Sequence, residues 1–532
     1  MKLAINNIKL SLDDDINQLK SAAAKKLKIG QDRINSLKII KESIDARHKP
    51  DIVMVYSVLT EITGKYRLPG NNDIREINDM PREEVKPGDK KINNRPIIIG
   101  SGPAGIFAGL ILSQNGYKPI VLERGESIEK RTEKVHRYWK TGVLDTETNV
   151  QFGEGGAGTF SDGKLTTRIN DYRCTRVLEE FYKAGAHEEI LYKSKPHIGS
   201  DVLKDVVVNM RQSIIQHGGE IRFNSKVTSL KISNGAVKGV IVNDNTELDA
   251  EVVVLAIGHS ARDTYDSLLK NGVGFVRKPF SIGVRIEHPQ ELINQAQYGI
   301  SAAHPRLGAA DYQLFYKTGG RTVYSFCMCP GGLVVASASE PDSIVTNGMS
   351  YFARDLQNSN SALVVSVEPG DFGGEHPLSG VEFQRKWERL AYNIAGSSGA
   401  APVQRLGDFV KGNASTAFGA VKPSYTGYTS FADINMCLPE FVTSCMKDSI
   451  YYFDRKLKGF GMGDAIMTGV ETRTSSPVRI PRSDGTFEAL GVSGLYPAGE
   501  GAGYAGGIVS AAVDGIRIAE QIIKTYTQMH IR

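Results

Sequence analysis

Residues 97–124 begin Ile97-Ile-Ile-Gly-Ser-Gly-Pro-Ala-Gly-Ile-Phe107 and end Lys118-Pro-Ile-Val-Leu-Glu-Arg124, and the fold turns on them. Ile97 to Ile99 is a short apolar run of the kind that forms a buried parallel strand. Gly100, Gly102 and Gly105 follow in G-x-G-x-x-G spacing, and a helix is predicted with Ala104, Phe107, Ala108 and Ile111 on one face, closed by Asn115-Gly116. Lys118 to Leu122 reads as a second strand with Glu123 at its end. Each part has a mechanical use in gripping a dinucleotide. Gly100 permits the tight turn, Gly102 lets the backbone approach a pyrophosphate, and Gly105 lets helix and strand lie close. The helix N-terminus offers unpaired N–H groups to the phosphates. Glu123 can accept hydrogen bonds from an unphosphorylated ribose, which argues for FAD or NAD and against NADP.

The bare glycine pattern is weak, because it recurs at Gly153, Gly155 and Gly158 and again at Gly501, Gly503 and Gly506. Only the first occurrence has strand, turn, helix, strand and acid in order. The segment Gln151-Phe-Gly-Glu-Gly-Gly-Ala-Gly-Thr-Phe-Ser-Asp-Gly-Lys-Leu165 places four glycines between Gly153 and Gly158. Gly155, Gly156, Ala157 and Gly158 then suit a loop lying against a flat ring or a diphosphate. A flexible loop without a ligand is the alternative reading.

A chain of 532 residues is too long for one compact core, so several domains are expected. Its net charge of +5 is spread along the sequence, with no basic block pointing to nucleic acid or an anionic membrane. No apolar run approaches the length of a membrane span, and the first residues lack the core of a signal peptide. Cys174, Cys327, Cys329, Cys437 and Cys445 are odd in number and unevenly spaced, which fits a reduced, cytoplasmic setting rather than a disulfide framework or a metal site.

Residues 1–69 read as a small α+β unit and 70–94 as a polar linker. Within 1–69, Arg47 and His48 could touch a partner or simply occupy a solvated turn. Residues 95–262 and 489–532 together form a discontinuous dinucleotide-binding domain. Within it, Val227 to Ala250 carries hairpin signals, and Val252-Val-Val-Leu-Ala-Ile-Gly258 returns to the parallel sheet. Residues 263–488 read as an inserted, mostly antiparallel substrate domain. There Phe280 to Glu287 alternates, setting Ile282, Val284 and Ile286 opposite Gly283, Arg285 and Glu287. Near the end, Gly494 to Glu500 is a strand ending in an acid, followed by a glycine loop and a helix with Ile508, Ala512, Gly515, Ala519 and Ile522 in stripe. No strand can follow that helix, so it completes the first unit.

These three signals in this order resemble FAD proteins of the glutathione-reductase structural group. The resemblance implies an α/β, Rossmann-like FAD-binding domain. It also implies that Ser101, Pro103, Ala104, Arg124, Val227, Ala256, Ile257, Gly258 and Gly499 contact the cofactor together with the glycines above. It further implies that Glu500 holds the flavin ribitol and that the helix start at Gly506-Gly507-Ile508 faces the flavin ring. More narrowly, the chain resembles the FAD-dependent, or NAD(FAD)-utilising, dehydrogenases. That likeness rests on Ser43-Ile-Asp-Ala-Arg47, Phe152 through Leu165, Lys195-Pro-His-Ile-Gly199, Ser325-Phe-Cys-Met-Cys-Pro-Gly-Gly332, Val470-Glu-Thr-Arg-Thr-Ser-Ser-Pro-Val-Arg479 and Tyr496 through Ile508.

The chemistry narrows by what is missing. There is no C-x-x-x-x-C pair and no second nucleotide-binding βαβ unit, so a flavin disulfide reductase is disfavoured. Gly258-His-Ser-Ala-Arg262 stands where flavin hydroxylases of this fold carry Asp-Gly. A dehydrogenase or reductase passing a hydride through flavin N5 to a small-molecule substrate remains, with NADH, NADPH or another external donor as expected electron partner. The competing class is a redox-sensing flavoprotein that switches a protein or RNA contact through the N-terminal unit. Arg285 and Glu287 are expected to face the substrate cavity. Glu471 and Arg473 either pair with each other or line that cavity. Cys327 and Cys329 are redox partners, a soft metal pair or inert thiols, and His197 is a proton donor or a structural histidine.

Overall fold

The computed structural model describes residues 1–70, 72–77 and 85–528. At its centre is a five-stranded parallel sheet in the order Leu495–Pro497, Val253–Leu255, Ile97–Ile99, Ile120–Leu122, Glu220–Arg222. Alternation decides what covers it. Ile98, Val121, Val254 and Tyr496 point to a layer containing helices Pro103–Gln114, Ser200–Gln216 and Ile508–Thr525. Ile97, Ile99, Val253, Leu255 and Leu495 point the other way, onto an antiparallel meander of Val227–Ser233, Ala236–Val242 and Thr246–Asp249 and onto helix Arg262–Lys270. Buried on both faces, the three inner strands read as unbroken Ile, Val and Leu. The second apolar layer also takes in Tyr265, Leu268, Val273 and Phe275, and Val478, Ile480, Ala489 and Val492. Of these, Tyr265 to Phe275, Val478 and Ile480 fall in the stretch placed by sequence in the inserted domain, yet pack with the dinucleotide half.

The inserted region is a seven-stranded sheet in the order Phe315–Thr318, Arg321–Cys329, Asn358–Val367, Phe280–Pro289, Ile466–Glu471, Ala401–Arg405, Thr429–Phe431. Its neighbours are antiparallel except the last pair. Ile282, Val284 and Ile286 join an apolar cluster with Cys445, Met446 and Phe453 of helix Glu440–Lys456. The opposite face, bearing Arg285 and Glu287, is covered in turn by the hairpin Gly332–Ala336 and Thr346–Ser350 and its surroundings.

The N-terminal unit is an antiparallel sheet in the order Ile34–Asp45, Val53–Ile62, Lys2–Ser11, Ile74–Glu76, with helix Gln18–Leu27. The stretch expected as linker, 70–94, therefore supplies a fourth strand at Ile74–Glu76, while its residues 71 and 78–84 lie outside the described residues. This unit docks on the inserted region through Arg306, which donates to the carbonyls of Ser11, Leu12 and Asp14 and to the Tyr56 hydroxyl. No helix among the described residues is long and apolar enough to cross a membrane. No cluster of three His, Cys, Asp or Glu side chains among them could hold a metal.

Candidate functional site

One cavity of about 1250 Å³ runs from the dinucleotide fingerprint to the inserted sheet. At its near end the turn after Ile99 forms as the glycine spacing requires. Gly100 has φ +101°, and a Cβ there would lie 2.4 Å from the Ala256 carbonyl oxygen. At Gly105 a Cβ would lie 1.9 Å from the Gly100 carbonyl oxygen, so helix and strand touch through bare backbone. Gly102 is different: a Cβ there would meet nothing nearer than the Gly156 Cα at 3.8 Å. Gly258, Gly506 and Gly507 also line the cavity and have no atom within 4 Å of where a Cβ would stand. Four lining glycines thus leave open space where side chains would intrude, a cradle shaped for a close-fitting ligand.

Ser101, Pro103, Ala104, Glu123, Arg124, Gly156, Ala157, Gly158, Val227, Ala256, Ile257, Glu500 and Ile508 line the same cavity. Gly155 and Gly499 stand just behind the wall. Gly155 N donates to the Ser101 carbonyl, and Gly499 N to Asp514. The Glu123 carboxylate is nearly buried and takes four donors of its own chain: Ser101 N and Oγ on one oxygen, Gly125 N and Gly153 N on the other. It ties the first glycine turn to the second glycine-rich loop. Arg124 is held against Asp263 and Glu147 and lies 4.1 Å from the Phe152 ring centroid.

The second loop is fixed from beneath by Arg131. Its guanidinium is fully buried and donates to the carbonyls of Asn149, Val150, Gly153 and Glu154. Burial depresses its pKa to about 10, so it stays charged at neutral pH. Sequence reading passed over this residue, although it sits in the buried stripe Ile128, Arg131, Val135, Tyr138 of helix Ile128–Thr141. A charged residue in an apolar stripe was the available signal.

His259 was missed as well. It follows Gly258 directly, its Nδ1 lies 3.1 Å from Glu500 Oε1, and its Nε2 is buried with no hydrogen-bond partner. Both residues line the cavity. A buried polar atom without a partner is costly, and a polar ligand in this cavity would satisfy it.

At the far wall stand Asp162, Lys164, Lys278, Tyr324, Cys327, Glu471 and Arg473. Glu471 and Arg473 line the cavity but do not pair with each other. Glu471 binds Arg285 Nε and Nη2 at 2.8 Å each, and Arg473 binds Glu388. Arg285 and Glu287 correct the expectation that they face the cavity: both are 0 % exposed and neither lines it. The alternation was right, but the polar face is covered by the 332–350 hairpin rather than open. Glu287 instead accepts from Asn358 and from Ser424 N, and burial raises its pKa. His197 is structural: its Nε2 bonds the Phe352 carbonyl and its ring stacks on Phe352.

Sequence comparison agrees with this geometry. Residues 279–474 match the family described as FAD-dependent protein, C-terminal domain-like, and residues 1–61 match a domain of unknown function (DUF8436). An uncharacterised protein of Clostridium beijerinckii is 53 % identical over 536 residues, covering 99 % of each chain. Among solved structures, CtdE in complex with FAD is similar at 15 % identity and a TM-score of 0.33, covering 81 % of this chain and 84 % of its own. The flavin-dependent brominase Bmp2 triple mutant gives 13 % and 0.37, covering 81 % and 80 %. Glycine oxidase from Bacillus cereus gives 12 % and 0.32, covering 81 % and 98 %. The chain belongs to one family with the Clostridium beijerinckii protein, its residues 279–474 carry an FAD-dependent protein C-terminal domain, and FAD is its cofactor.

Proposed function

We propose that the protein is an FAD-dependent dehydrogenase or reductase with an FAD fold of the glutathione-reductase type. In this reading it exchanges a hydride between flavin N5 and a small polar molecule. The observation that carries the reading is continuity: one cavity joins the glycine cradle to the polar wall of the inserted sheet. Its volume exceeds the ~300–1,000 Å³ typical of a single drug-sized ligand, which leaves room for a cofactor and a substrate together. Bound FAD supplies the hydride chemistry itself.

The chain's own residues bind and orient. Gly102, Gly156 and the start of helix Pro103–Gln114 would hold the pyrophosphate, with that helix end favouring negative charge. Glu500 and the free Nε2 of His259 would hold the middle of the cofactor. The start of helix Ile508–Thr525 faces the cavity and favours negative charge there too. On the substrate side, Arg473 cannot swing, because Glu388, Ser260 and Ser339 occupy its donors. Lys278 lines the cavity with no salt-bridge partner among the described residues, and burial lowers its pKa. Lys278 is therefore the cation available to orient an anionic or polar substrate, beside Tyr324, whose hydroxyl donates to Ser281 and can still accept. Among the described residues none before Ile99 lines the cavity, and no observation favours a redox-gated role for the N-terminal unit.

The test is anaerobic mixing of the holoprotein with NADH, NADPH and a panel of carboxylate and alcohol metabolites, following flavin absorbance. Rapid bleaching by one class, slowed tenfold or more in Lys278→Ala, is the expected result. A flavin that none of them reduces would count against a dehydrogenase.

A further inference from the structure

Two thiols at the far wall of the cavity have no part in the reading above. Strand Arg321–Cys329 loses register with Asn358–Val367 between Phe326 and Cys329. Within that break Cys327 takes φ +46°, a left-handed backbone uncommon for a residue with a side chain. Cys327 is thereby set into the cavity wall, partly exposed, while Cys329 lies behind it at 0 % exposure. The Cys329 thiol donates to the Cys327 carbonyl at 3.2 Å. Two cations grip the same turn: Arg285 Nη1 donates to the Cys327 carbonyl at 2.8 Å, and Lys164 Nζ donates to the Met328 carbonyl.

These surroundings divide the two thiols. The neighbouring Cys329 thiol, with the Arg285 and Lys164 charges, holds the Cys327 thiol below its ordinary pKa. The neighbouring Cys327 thiol and burial push Cys329 up. A thiolate is the nucleophile in disulfide exchange, and a protonated neighbour is a reserve attacker. The remaining cysteines lack this arrangement. Burial raises the pKa of Cys174, Cys437 and Cys445, and none of the three has another thiol among its interacting groups.

We propose that Cys327 and Cys329 are a second redox site of this protein, cycling between a dithiol and an intramolecular disulfide by exchange with a low-molecular-weight thiol–disulfide couple that enters the cavity. In the oxidising direction the Cys327 thiolate attacks one sulfur of a small disulfide RSSR. A Cys327–SR bond forms and RS⁻ leaves, taking a proton from solvent. Cys329 then loses its proton and attacks the Cys327 sulfur, expelling the second RS⁻, which is protonated in turn. The sum is two protein thiols plus RSSR giving one protein disulfide plus two RSH. The pair loses two electrons and RSSR gains them. Arg285 and Lys164 act as positioning residues that hold the turn.

The site stands apart from the hydride-transfer reading, and its test does not depend on flavin turnover. The holoprotein is equilibrated with glutathione mixtures of rising oxidised fraction, quenched in acid, alkylated with iodoacetamide and mapped by mass, with FAD content read by absorbance in the same samples. The expected result is joint loss of two alkylatable thiols, both in the peptide carrying Cys327 and Cys329, and a protein lighter by two hydrogens. In Cys327→Ser the remaining Cys329 should stay alkylatable throughout. In Cys329→Ser one glutathione should accumulate on Cys327. Thiols at 327 and 329 that stay alkylatable at every ratio, or oxidation confined to Cys174, would overturn the proposal. The wild-type map decides alone if a variant fails to fold. A protein whose flavin no donor reduces can still pass this test, so the two readings fail separately.

Discussion

Gly102 and Gly105 stand one helical turn apart, yet a side chain at each would strike different things. At Gly105 it would meet the Gly100 carbonyl oxygen at 1.9 Å and force the helix off the strand. At Gly102 it would enter open cavity, so the polypeptide would tolerate it and the pyrophosphate would not. Gly102→Val is expected to give a folded, colourless protein, and Gly105→Val a destabilised or insoluble one. Flavin absorbance together with thermal unfolding of the two apoproteins distinguishes these outcomes. Full FAD occupancy in Gly102→Val would contradict the placement. Gly100 and Gly105 were legible in the sequence because their spacing encodes a demand of the backbone itself, and Gly102 because the same spacing leaves room for a ligand. Arg285 was not, because alternation along Phe280–Pro289 sorts side chains to two faces without saying what covers either. His259 escaped for another reason. Its significance lies in Glu500, a partner on a strand end far away in sequence.

At the scale of elements, the second glycine-rich loop is held between two helices by an arginine from each. Arg131 of Ile128–Thr141 binds its carbonyls from below. Glu154, in the loop, accepts from Ile128 N and from Arg211 of Ser200–Gln216. Even so, burial dominates and pushes the Glu154 carboxyl from 4.5 up to about 7. The native state therefore binds a proton that the unfolded chain has already released. Its stabilising contribution is complete below pH 4.5 and is lost as pH rises through about 7. The whole effect is at most about 3 kcal/mol, at 1.36 kcal/mol per pKa unit. Urea unfolding between pH 4.5 and 8 should show stability falling more steeply in the wild type than in Glu154→Gln. Parallel slopes would show that Glu154 is ionised throughout. The loop itself was legible as a segment apart, since its glycines leave a bulk-free backbone between Phe152 and Phe160, and the structure sets it on the cavity wall. Its clamp, Arg131, lies outside that pattern in a neighbouring helix.

Across the whole molecule, the dinucleotide half and the inserted half are joined by a buried ion network. Glu388, 0 % exposed, accepts from both Arg262 and Arg473, and Arg262 also reaches Glu340. Both guanidiniums hold Glu388 ionised, far below the usual carboxylate range, against the cost of burial. Glu388→Gln would leave two buried cations short of a counter-charge. A loss of roughly 3–5 kcal/mol is expected, the usual cost of breaking a buried pair from one side. Chemical denaturation of the holoprotein measures it, and a change below ~1 kcal/mol would mean that water or Glu340 compensates. No sequence pattern announces this junction, because its members lie on four separated segments. What the sequence did show at this scale was the strand, acid and helix signal over 494–522, and the structure sets that strand beside Val253–Leu255 of the first unit's sheet.

That return governs how the protein can be made. The central sheet opens with Ile97–Ile99 and gains its outer strand, Leu495–Pro497, only after the entire inserted sheet has been synthesised. Until then the nascent polypeptide carries an unpaired edge at Val253–Leu255 and a bare apolar flank on Pro103–Gln114, where Ile508–Thr525 will later lie. Bare edges and flanks of this kind attract wrong partners. Cofactor capture thus waits for the strand Leu495–Pro497 and the helix after it, and ribosome-bound chains stopped before residue 495 should be protease-sensitive and chaperone-bound whatever the FAD supply. Release of the last strand and helix should confer flavin binding and protease resistance in a single step.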